Sequence, residues 1–274
     1  MNFAAETHVD RSIDSPADFI ETNLVGTYTL LEAAREYWAE FPSAERDKFR
    51  FVQVSTDEVY GSLERESASE GDPYRPNSPY AASKAGGDHL IRAYNVTFGL
   101  PTLLTNGSNT YGPHQYPEKL IPVMVLNAIE GGRLPVYGDG KNVRDWLFVR
   151  DHARAIAAVL DRGIPGETYN VGANAELTNL ELVHNICDYL DTARPRRDGT
   201  SYREQVAFVA DRPGHDRRYS LSCSKISDSL QWTADTPLAE GIAETIDWYL
   251  DQDSWWQRIK SQGGPLQRIG LSQT

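Results

Sequence analysis

The sequence is poor in residues that build disulfide frameworks or metal centres. Its two cysteines, Cys187 and Cys223, form no CxxC pair, and no histidine lies at zinc-ligand spacing from them. No apolar run approaches the roughly 18 residues of a membrane-spanning helix, and no basic segment leads into an apolar one at the start. We therefore expect no metal ion, and we expect the protein to be cytoplasmic.

Positive charge is also scarce. The 27 lysines and arginines face 39 aspartates and glutamates, which gives a net charge of −12 over 274 residues. An acidic surface repels nucleic acids and anionic membranes. The charge argues against both as partners, and the length suits either two domains or one α/β domain with a smaller lobe.

The order of strand-like and helix-like segments indicates an α/β fold. Short β-rich runs at 51–55, 101–105 and 169–171 are separated by helical patterns, which is typical of βαβ units and a mostly parallel sheet. A first helix is predicted after Asp14-Ser15-Pro16, and a second after Ser78-Pro79. The second helix should end at Gly99.

Tyr80 and Lys84 are the strongest local signal for chemistry. Their spacing of four residues places both side chains on one face of the second helix, where the ammonium and the helix N-terminus favour a phenolate. Such a tyrosine can take a proton from a sugar or alcohol hydroxyl. Taken alone, the pattern more often describes a core tyrosine beside a solvated lysine.

Asp57 and Glu58 follow the first buried strand. Ligands of open α/β sheets bind at the carboxyl ends of strands, so two adjacent carboxyl groups there are costly unless they are used. In a confined site their pKa values separate, which provides one acid and one base. A pair of solvated turn residues is the competing interpretation.

The segment Thr56-Asp57-Glu58-Val59-Tyr60-Gly61, together with Tyr80-x-x-x-Lys84, resembles the extended short-chain dehydrogenase/reductase superfamily and, within it, the dTDP-glucose 4,6-dehydratases. Further matching segments lie at 4–13, 108–113, 117–122, 144–146 and 211–218. The resemblance implies NAD-dependent dehydration of dTDP-glucose to dTDP-4-keto-6-deoxyglucose, in deoxysugar biosynthesis of the rhamnose type.

The resemblance also implies catalytic roles. Tyr80, with Lys84 beside it, would take the C4 hydroxyl proton while NAD takes the hydride, and Thr56 would hydrogen-bond that hydroxyl. Glu58 would remove the C5 proton as Asp57 protonates the departing C6 hydroxyl. An elimination needs such an acid and base near neighbouring carbons.

Binding residues follow from the same matching. The cofactor contacts implied are Phe3, Ala4, Ala5, Glu6, Thr7, Thr22, Tyr80, Lys84 and Thr110. The nucleotide-sugar contacts implied are Thr7, Thr56, Asn109, Lys119, Leu120, Pro135, Val136, Tyr137, Arg144, Asn179, Asp211, Arg212, Pro213, Gly214 and His215. Thr7 and Thr110 depart from the serine and asparagine of many family members but keep a hydrogen-bonding group. Without the family, Arg144 reads as a surface ion pair with Asp145.

A glycine-rich dinucleotide fingerprint, GxGxxG or GxxGxxG, is absent from the sequence. Relative to the resemblance, the chain begins after that turn, so we expect a Rossmann-type doubly wound parallel sheet that lacks its first βαβ portion, with a smaller C-terminal α/β substrate lobe. Residues 1–165 would form the partial NAD-binding domain with the catalytic residues, and 166–274 mainly the nucleotide-sugar lobe, with 109–145 also contacting substrate. Because the phosphate cradle is missing, we expect weak NAD binding.

Other interpretations stay open at this point. A nucleotide-sugar 4-epimerase shares the tyrosine and lysine but typically lacks the adjacent Asp-Glu pair. A truncated, non-catalytic protein that binds nucleotide sugar or pairs with itself is an alternative of another class. The family implies a homodimer formed through helices near 16–38 and 79–98, in a four-helix bundle.

Overall fold

The main sheet of the computed structural model, which describes residues 1–261, is parallel, as the sequence predicts. Strands β1 (Phe51–Thr56), β2 (Thr102–Gly107) and β6 (Thr168–Val171) pair in that order. Asn2 extends the sheet beside β1, because its N–H donates to the Val52 carbonyl at 2.8 Å and its carbonyl accepts from Val54 at 3.1 Å. Residues 3–7 therefore run toward the carboxyl edge of the sheet.

Helices cover both faces of this sheet. Helices α3 (Gly26–Ala39) and α5 (Pro79–Phe98) pack on one face, where Leu31, Ile91 and Leu104 are buried. Helices α7 (Val149–Arg162) and α9 (Ser224–Leu230) pack on the other face, against Val52 and Leu103. Because side chains alternate along a strand, the apolar residues of these strands are buried on both faces of the sheet. The doubly wound arrangement is confirmed.

The smaller lobe has its own core. Its helices and strands are α6 (Leu120–Ile129), β4 (Leu134–Tyr137), α8 (Asn179–Ala193), β8 (Val206–Val209), α10 (Leu238–Asp251) and α11 (Asp253–Ser261). A second sheet, in the order β3 (Asn109–Tyr111), β5 (Val143–Phe148) and β7 (Glu176–Thr178), connects it to the rest of the chain. Within residues 1–261, no helix combines the length and apolarity needed to cross a bilayer.

The two parts of the chain interleave more than a boundary at residue 165 allows. Strand β6 lies beyond that boundary, yet it pairs with β2 from Leu104↔Thr168 to Gly107↔Val171, and α9 packs on it. Strands β3, β4 and β5 precede the boundary but belong to the second sheet or the lobe. Parallel pairing therefore returns the chain after residue 165 to the main sheet, and the division at 165/166 stays a prediction.

The first predicted helix is longer and less regular than its sequence pattern indicates. It begins earlier, with α1 (Val9–Asp14), restarts at α2 (Pro16–Phe19) and passes through a π-helical segment (Ile20–Val25) into α3. Pro16 occupies the first turn of α2, as expected for a residue without an N–H. The short helix α4 (Ser43–Arg46) then leads to β1.

Helix α5 carries Tyr80 and Lys84, and both of its ends follow the sequence prediction. The hydroxyl of Ser78 caps the N-terminus by accepting from Ala81 N at 3.1 Å. Pro79 fills the first turn, and Gly99 ends the helix in the left-handed conformation with φ of 69°. The helix is 20 residues long and covers β1 and β2.

Two adjacent glycines of α5 provide a test of its close approach to the π-helical segment. A Cβ at Gly87 would lie 2.9 Å from the Asn23 carbonyl oxygen, whereas one at Gly86 would meet only the flexible end of Leu24 at 3.1 Å. Alanine is favoured over glycine in a helix by about 1 kcal/mol. We expect Gly86→Ala to be neutral or stabilising and Gly87→Ala to lower the free energy of unfolding by about 1–3 kcal/mol, the usual cost of overpacking. Denaturant unfolding measures both, and equal midpoints would contradict this packing.

Candidate active site

The carboxyl end of β1 turns sharply and presents two acids in different surroundings. Thr56 caps a short 3₁₀ turn (Asp57–Tyr60), and its Oγ1 accepts from Glu58 N at 3.3 Å. The turn ends at Gly61, where φ is 73° and a Cβ would collide with the Arg75 carbonyl, so glycine is required. Asp57 is buried beneath the turn, while Glu58 reaches the adjacent cleft.

The cleft lies between this strand end and the smaller lobe, with a volume of about 220 Å³. Eleven of the nucleotide-sugar contacts implied by the resemblance line it: Thr7, Asn109, Lys119, Leu120, Pro135, Val136, Tyr137, Arg144, Asn179, Arg212 and His215. These residues come from the N-terminal segment, the second sheet and the lobe. The fold therefore brings together positions that are far apart in sequence.

Four other implied substrate residues lie outside the lining. Asp211, Pro213 and Gly214 are on an exposed loop, where the carboxylate of Asp211 lies 2.6 Å from Nδ1 of His215. Thr56 is buried next to Asp57. The loop can thus orient His215 at the cleft, while Thr56 belongs with the acids.

The surroundings of the two acids separate their proton affinities. Burial, and then the Glu58 charge, raise the pKa of Asp57 well above its usual range, and Arg144 only partly opposes this. Burial also raises the pKa of Glu58, but Arg212, Arg144 and Lys119 act against it. Asp57 is therefore suited to hold a proton, and Glu58 to be the carboxylate that accepts one.

Arg144 is held in place as a cleft cation. It is 5% exposed, its Nη2 donates to the Asp216 carbonyl at 2.9 Å, and the guanidinium lies 4.2 Å from the centre of the Tyr219 ring. Asp145, in contrast, accepts from the backbone of Ala173 and Ala175. The interpretation of Arg144 as a surface ion pair with Asp145 is wrong, because β5 directs the two side chains to different partners.

Two further cations complete a positive cluster at the cleft. Arg212 pairs with Asp10 at 3.0 Å, and its Nε is buried without a hydrogen-bond partner among the described residues. The Lys119 ammonium donates to the Thr7 carbonyl at 2.6 Å. One guanidinium group can donate two parallel hydrogen bonds to two phosphate oxygens. The cluster is therefore suited to a phosphorylated ligand in an otherwise acidic protein.

Tyr80 and Lys84 are both buried, and burial affects the ionisation of each side chain. Burial, followed by the charges of Glu58 and Asp57, raises the pKa of Tyr80 above its ordinary value. Lys84 donates to the Val54 carbonyl at 2.8 Å, and burial lowers the pKa of this ammonium. Desolvation of Tyr80 therefore acts against the phenolate that Lys84 and the helix N-terminus are expected to favour.

Most of the residues expected to hold NAD lie near one another at the edge of the main sheet. Residues 3–7 pass along the sheet edge, where Phe3 is 58% exposed, and Asn23 holds this segment by bonding both the N–H and the carbonyl of Glu6. Asn23 also donates to Ser83 on α5 at 2.9 Å. Thr22, another of the expected cofactor contacts, directly precedes Asn23 in the chain. Lys84 makes one hydrogen bond and retains donors for a ribose hydroxyl.

Thr110, the last of the implied cofactor contacts, lies on β3. Its hydroxyl is 2.7 Å from Nδ1 of His152, a buried ring whose pKa is lowered to about 4 by desolvation. A neutral His152 can orient that hydroxyl through one ring nitrogen.

Several residues of the site were not predicted. Asn23 fixes the N-terminal segment, Asp10 pairs with Arg212, and Tyr219 donates to Asp216 at 2.7 Å and to Glu58 at 3.3 Å. Asp10 and Asp216 lie inside the matching segments 4–13 and 211–218, which was the available signal. Asn23 and Tyr219 carry no local pattern, since only tertiary contacts define their roles.

A doubly wound parallel sheet, a Tyr-Lys pair on the helix after a catalytic strand and a cationic cleft under a smaller lobe define an extended short-chain dehydrogenase/reductase. A family model described as GDP-mannose 4,6 dehydratase matches residues 1–245. The chain belongs to the nucleotide-sugar 4,6-dehydratase family and, within it, to the dTDP-glucose 4,6-dehydratases.

The individual relatives are consistent with this family. A dTDP-glucose 4,6-dehydratase of Xanthomonas campestris is 56% identical over 273 residues, which is 99% of this chain and 78% of the relative. A dTDP-glucose 4,6-dehydratase of Streptomyces venezuelae, solved with NAD bound, is 47% identical with a TM-score of 0.85, covering 94% of this chain and 74% of that one. A UDP-glucose 4-epimerase of Thermus thermophilus, solved with NAD, is 30% identical with a TM-score of 0.80, covering 91% and 76%.

The charge arrangement at Glu58 predicts the effect of removing one cation. Arg212 is the largest of the influences that lower the pKa of Glu58, so Arg212→Gln should raise that pKa. Carboxyl NMR titration of isotope-labelled protein, with Glu58→Gln to assign the signal, measures it. Arg217→Gln is the control, because Arg217 pairs with the exposed Asp139. An unchanged Glu58 titration in Arg212→Gln would contradict the assignment.

Proposed function

We propose that this protein converts dTDP-glucose to dTDP-4-keto-6-deoxyglucose, as a step of deoxysugar biosynthesis. The observation that carries the proposal is the pair Asp57 and Glu58, adjacent in sequence but held in surroundings that suit one as an acid and the other as a base. The relatives named dTDP-glucose 4,6-dehydratase support the nucleotide and the sugar.

The carboxyl pair favours a dehydratase over an epimerase. Both reactions need a base for the C4 hydroxyl, for which Tyr80 with Lys84 suffices. Only elimination of water across C5 and C6 also needs a base at one carbon and an acid at the next. The Thermus epimerase has the same fold, so the fold alone does not distinguish the two reactions.

NAD, when bound, supplies the acceptor for the C4 hydride and the donor for C6. We propose that Tyr80, Lys84, Thr22, Thr110 and residues 3–7 hold it. Arg144 and Arg212 would bind the diphosphate through paired N–H donors, and Lys119 would add a third positive charge. Thr7, Asn109, Asn179 and the 135–137 strand would line the nucleoside side of the cleft.

The side chains then move protons in a defined order. The Tyr80 oxygen receives the proton of the C4 hydroxyl. Glu58 removes the C5 proton as Asp57 protonates the C6 hydroxyl, which leaves as water. Glu58 later returns its proton to C5, so it ends the cycle unchanged.

At the end of these steps Tyr80 has gained one proton and Asp57 has lost one. Thr56 lies between them: its hydroxyl is 3.2 Å from Oδ1 of Asp57, and it hydrogen-bonds the phenol of Tyr80. A hydroxyl can accept one proton while it donates another. We propose that Thr56 returns the proton from Tyr80 to Asp57 and so resets both groups.

A homodimer fits the surface of the two helical segments that the family pairs. Val25 and Tyr28 in the first segment and Val96 and Phe98 in α5 are exposed, Val96 by 71%. The segments lie side by side, since the Tyr94 phenol bonds Glu32. Such an apolar surface is typical of a subunit interface, and we propose that it forms a four-helix bundle in a dimer of the cytoplasm.

A product assay tests the function. With saturating NAD and dTDP-glucose, we expect a keto product detected by its absorbance in alkali. Glu58→Gln should abolish exchange of the C5 hydrogen with solvent but leave the first hydride transfer, followed by nicotinamide absorbance, within about tenfold of the wild type, since Glu58 acts as a base only in the second step. An epimeric hexose without dehydration would support the epimerase instead, and binding without any product would support the non-catalytic alternative.

Thr56 variants test the proton return. Thr56→Val should slow steady-state turnover, by about a hundredfold at most, and should slow it more than the first hydride transfer. The reason is that Tyr80 and Asp57 must then exchange protons with solvent. Turnover in this variant should increase with the concentration of a small buffer, and Thr56→Ser should behave like the wild type. Loss of the Thr56 cap alone would not produce buffer dependence, so a buffer-independent rate argues against the relay.

A further inference from the structure

A buried carboxyl group lies beneath the active site and has no role in the reaction described above. Asp88 follows Lys84 by one turn of α5 and is 3% exposed. Ser55, the residue before Thr56, donates its hydroxyl to Oδ2 of Asp88 at 2.6 Å. Tyr74 also favours the charged form of the carboxyl group, while Oδ1 is buried without a partner among the described residues. A fully buried carboxyl group is costly unless it stabilises something.

Lys84 is the neighbouring group whose positive charge this carboxylate can stabilise. Its ammonium is buried against the Val54 carbonyl, and desolvation lowers its pKa. Asp88 is the neighbouring charge that acts in the opposite direction. The carboxylate and the ammonium are on the same face of α5, four residues apart, so the attraction is within one helix. Without Asp88, the burial of Lys84 would favour the neutral amine.

The other side of Asp88 borders a second cavity of about 210 Å³. Tyr74, His89 and Arg92 line it with Glu70 and Asp72, beside the apolar side chains of Ile91, Leu103 and Leu104. A cavity of this size with several polar groups accommodates water. Burial raises the pKa of Asp88 to about 6, against the effects of Lys84 and Ser55. Above that pH the carboxylate is charged.

We propose that Asp88 is a positioning residue, the buried counter-charge that keeps Lys84 an ammonium while it serves Tyr80 and the cofactor. The inference rests on the proposed function, in which the charge of Lys84 assists removal of the C4 proton. Asp88 reaches neither substrate nor the cleft, and Ser55 holds its carboxylate toward β1. Its effect on the reaction passes through Lys84.

The sign of the pH effect follows from these contacts. Lys84 must be protonated, and loss of its proton limits activity at high pH. Asp88→Asn removes the charge that holds the pKa of Lys84 up, so the alkaline limb of the pH–rate profile should move to lower pH. Asp88 also makes the smallest of the contributions that raise the pKa of Tyr80. Removing its charge therefore does not move the acidic limb of the profile to higher pH.

Steady-state kinetics with NAD and dTDP-glucose give the first test. In Asp88→Asn the alkaline limb should move by about one pH unit and kcat above neutral pH should fall by about tenfold, with KM nearly unchanged. Glu70→Gln is the matched control, because it removes a carboxylate from the same cavity while its amide oxygen can still accept from Asn170 N. Asp88→Glu should restore most of the wild-type profile. A profile of Asp88→Asn that superimposes on the wild type, or an equal shift in Glu70→Gln, would overturn the proposal.

A second measurement needs no turnover. The Lys84 amine can be titrated by NMR in protein with isotope-labelled lysine, with Lys84→Met to assign the signal. Its pKa should be lower in Asp88→Asn than in the wild type and Glu70→Gln, with a smaller decrease in Ser55→Ala. An unchanged titration in folded Asp88→Asn refutes the counter-charge. If the wild type makes no keto product, the proposed function fails, while this titration still decides the role of Asp88.

Discussion

Two carboxyl groups on consecutive residues lie at the end of β1, one buried and one half-buried, and the cost of removing them from water organises the site. Removing an ion from water costs several kcal/mol even after the protein relaxes. The protein meets this cost differently for each acid. Burial raises the pKa of Asp57 well above its usual range with Arg144 as the opposing cation, whereas the pKa of Glu58 is opposed by Arg212, Arg144 and Lys119. The proton affinity of each acid is therefore set by its burial and by the cations around it.

None of these cations comes from the strand that carries the acids. Arg144 lies on β5, Arg212 on the loop after β8, and Lys119 directly before α6. Each is held by a group from elsewhere: Arg144 by the Asp216 carbonyl, Arg212 by Asp10, and Lys119 by Thr7. The acid-base pair thus acquires its properties only when the lobe and the N-terminal segment close on the sheet. Under the proposed function this dependence would couple substrate binding to catalysis, since the cations proposed to bind the diphosphate are the ones that lower the pKa of Glu58.

The sequence could predict what local patterns determine. Alternating strands and helices indicated the parallel sheet, and the cap and glycine of α5 located the helix that holds Tyr80 and Lys84. The π-helical segment at Ile20–Val25 and the return of β6 to the main sheet were not predictable, because both depend on tertiary packing. The same limit applies to ionisation. The spacing of Tyr80 and Lys84 indicated that they share a helix face, but the direction of the Tyr80 pKa is set by burial, which spacing does not reveal.

The network below the cleft suggests why this scaffold supports more than one reaction. Tyr80 and Lys84 are positioned by α5 and by the backbone of β1, which fold in the same way whether or not an elimination follows. The residues that add the elimination are confined to the turn after β1 and to the cations of the lobe. Replacing Asp57 and Glu58 would remove the second step without disturbing the first, because neither acid supports the helix or the sheet through a backbone contact of its side chain. The step that commits the sugar to dehydration is therefore separable from the hydride chemistry, and the short 3₁₀ turn at Asp57–Tyr60 is where the two are joined.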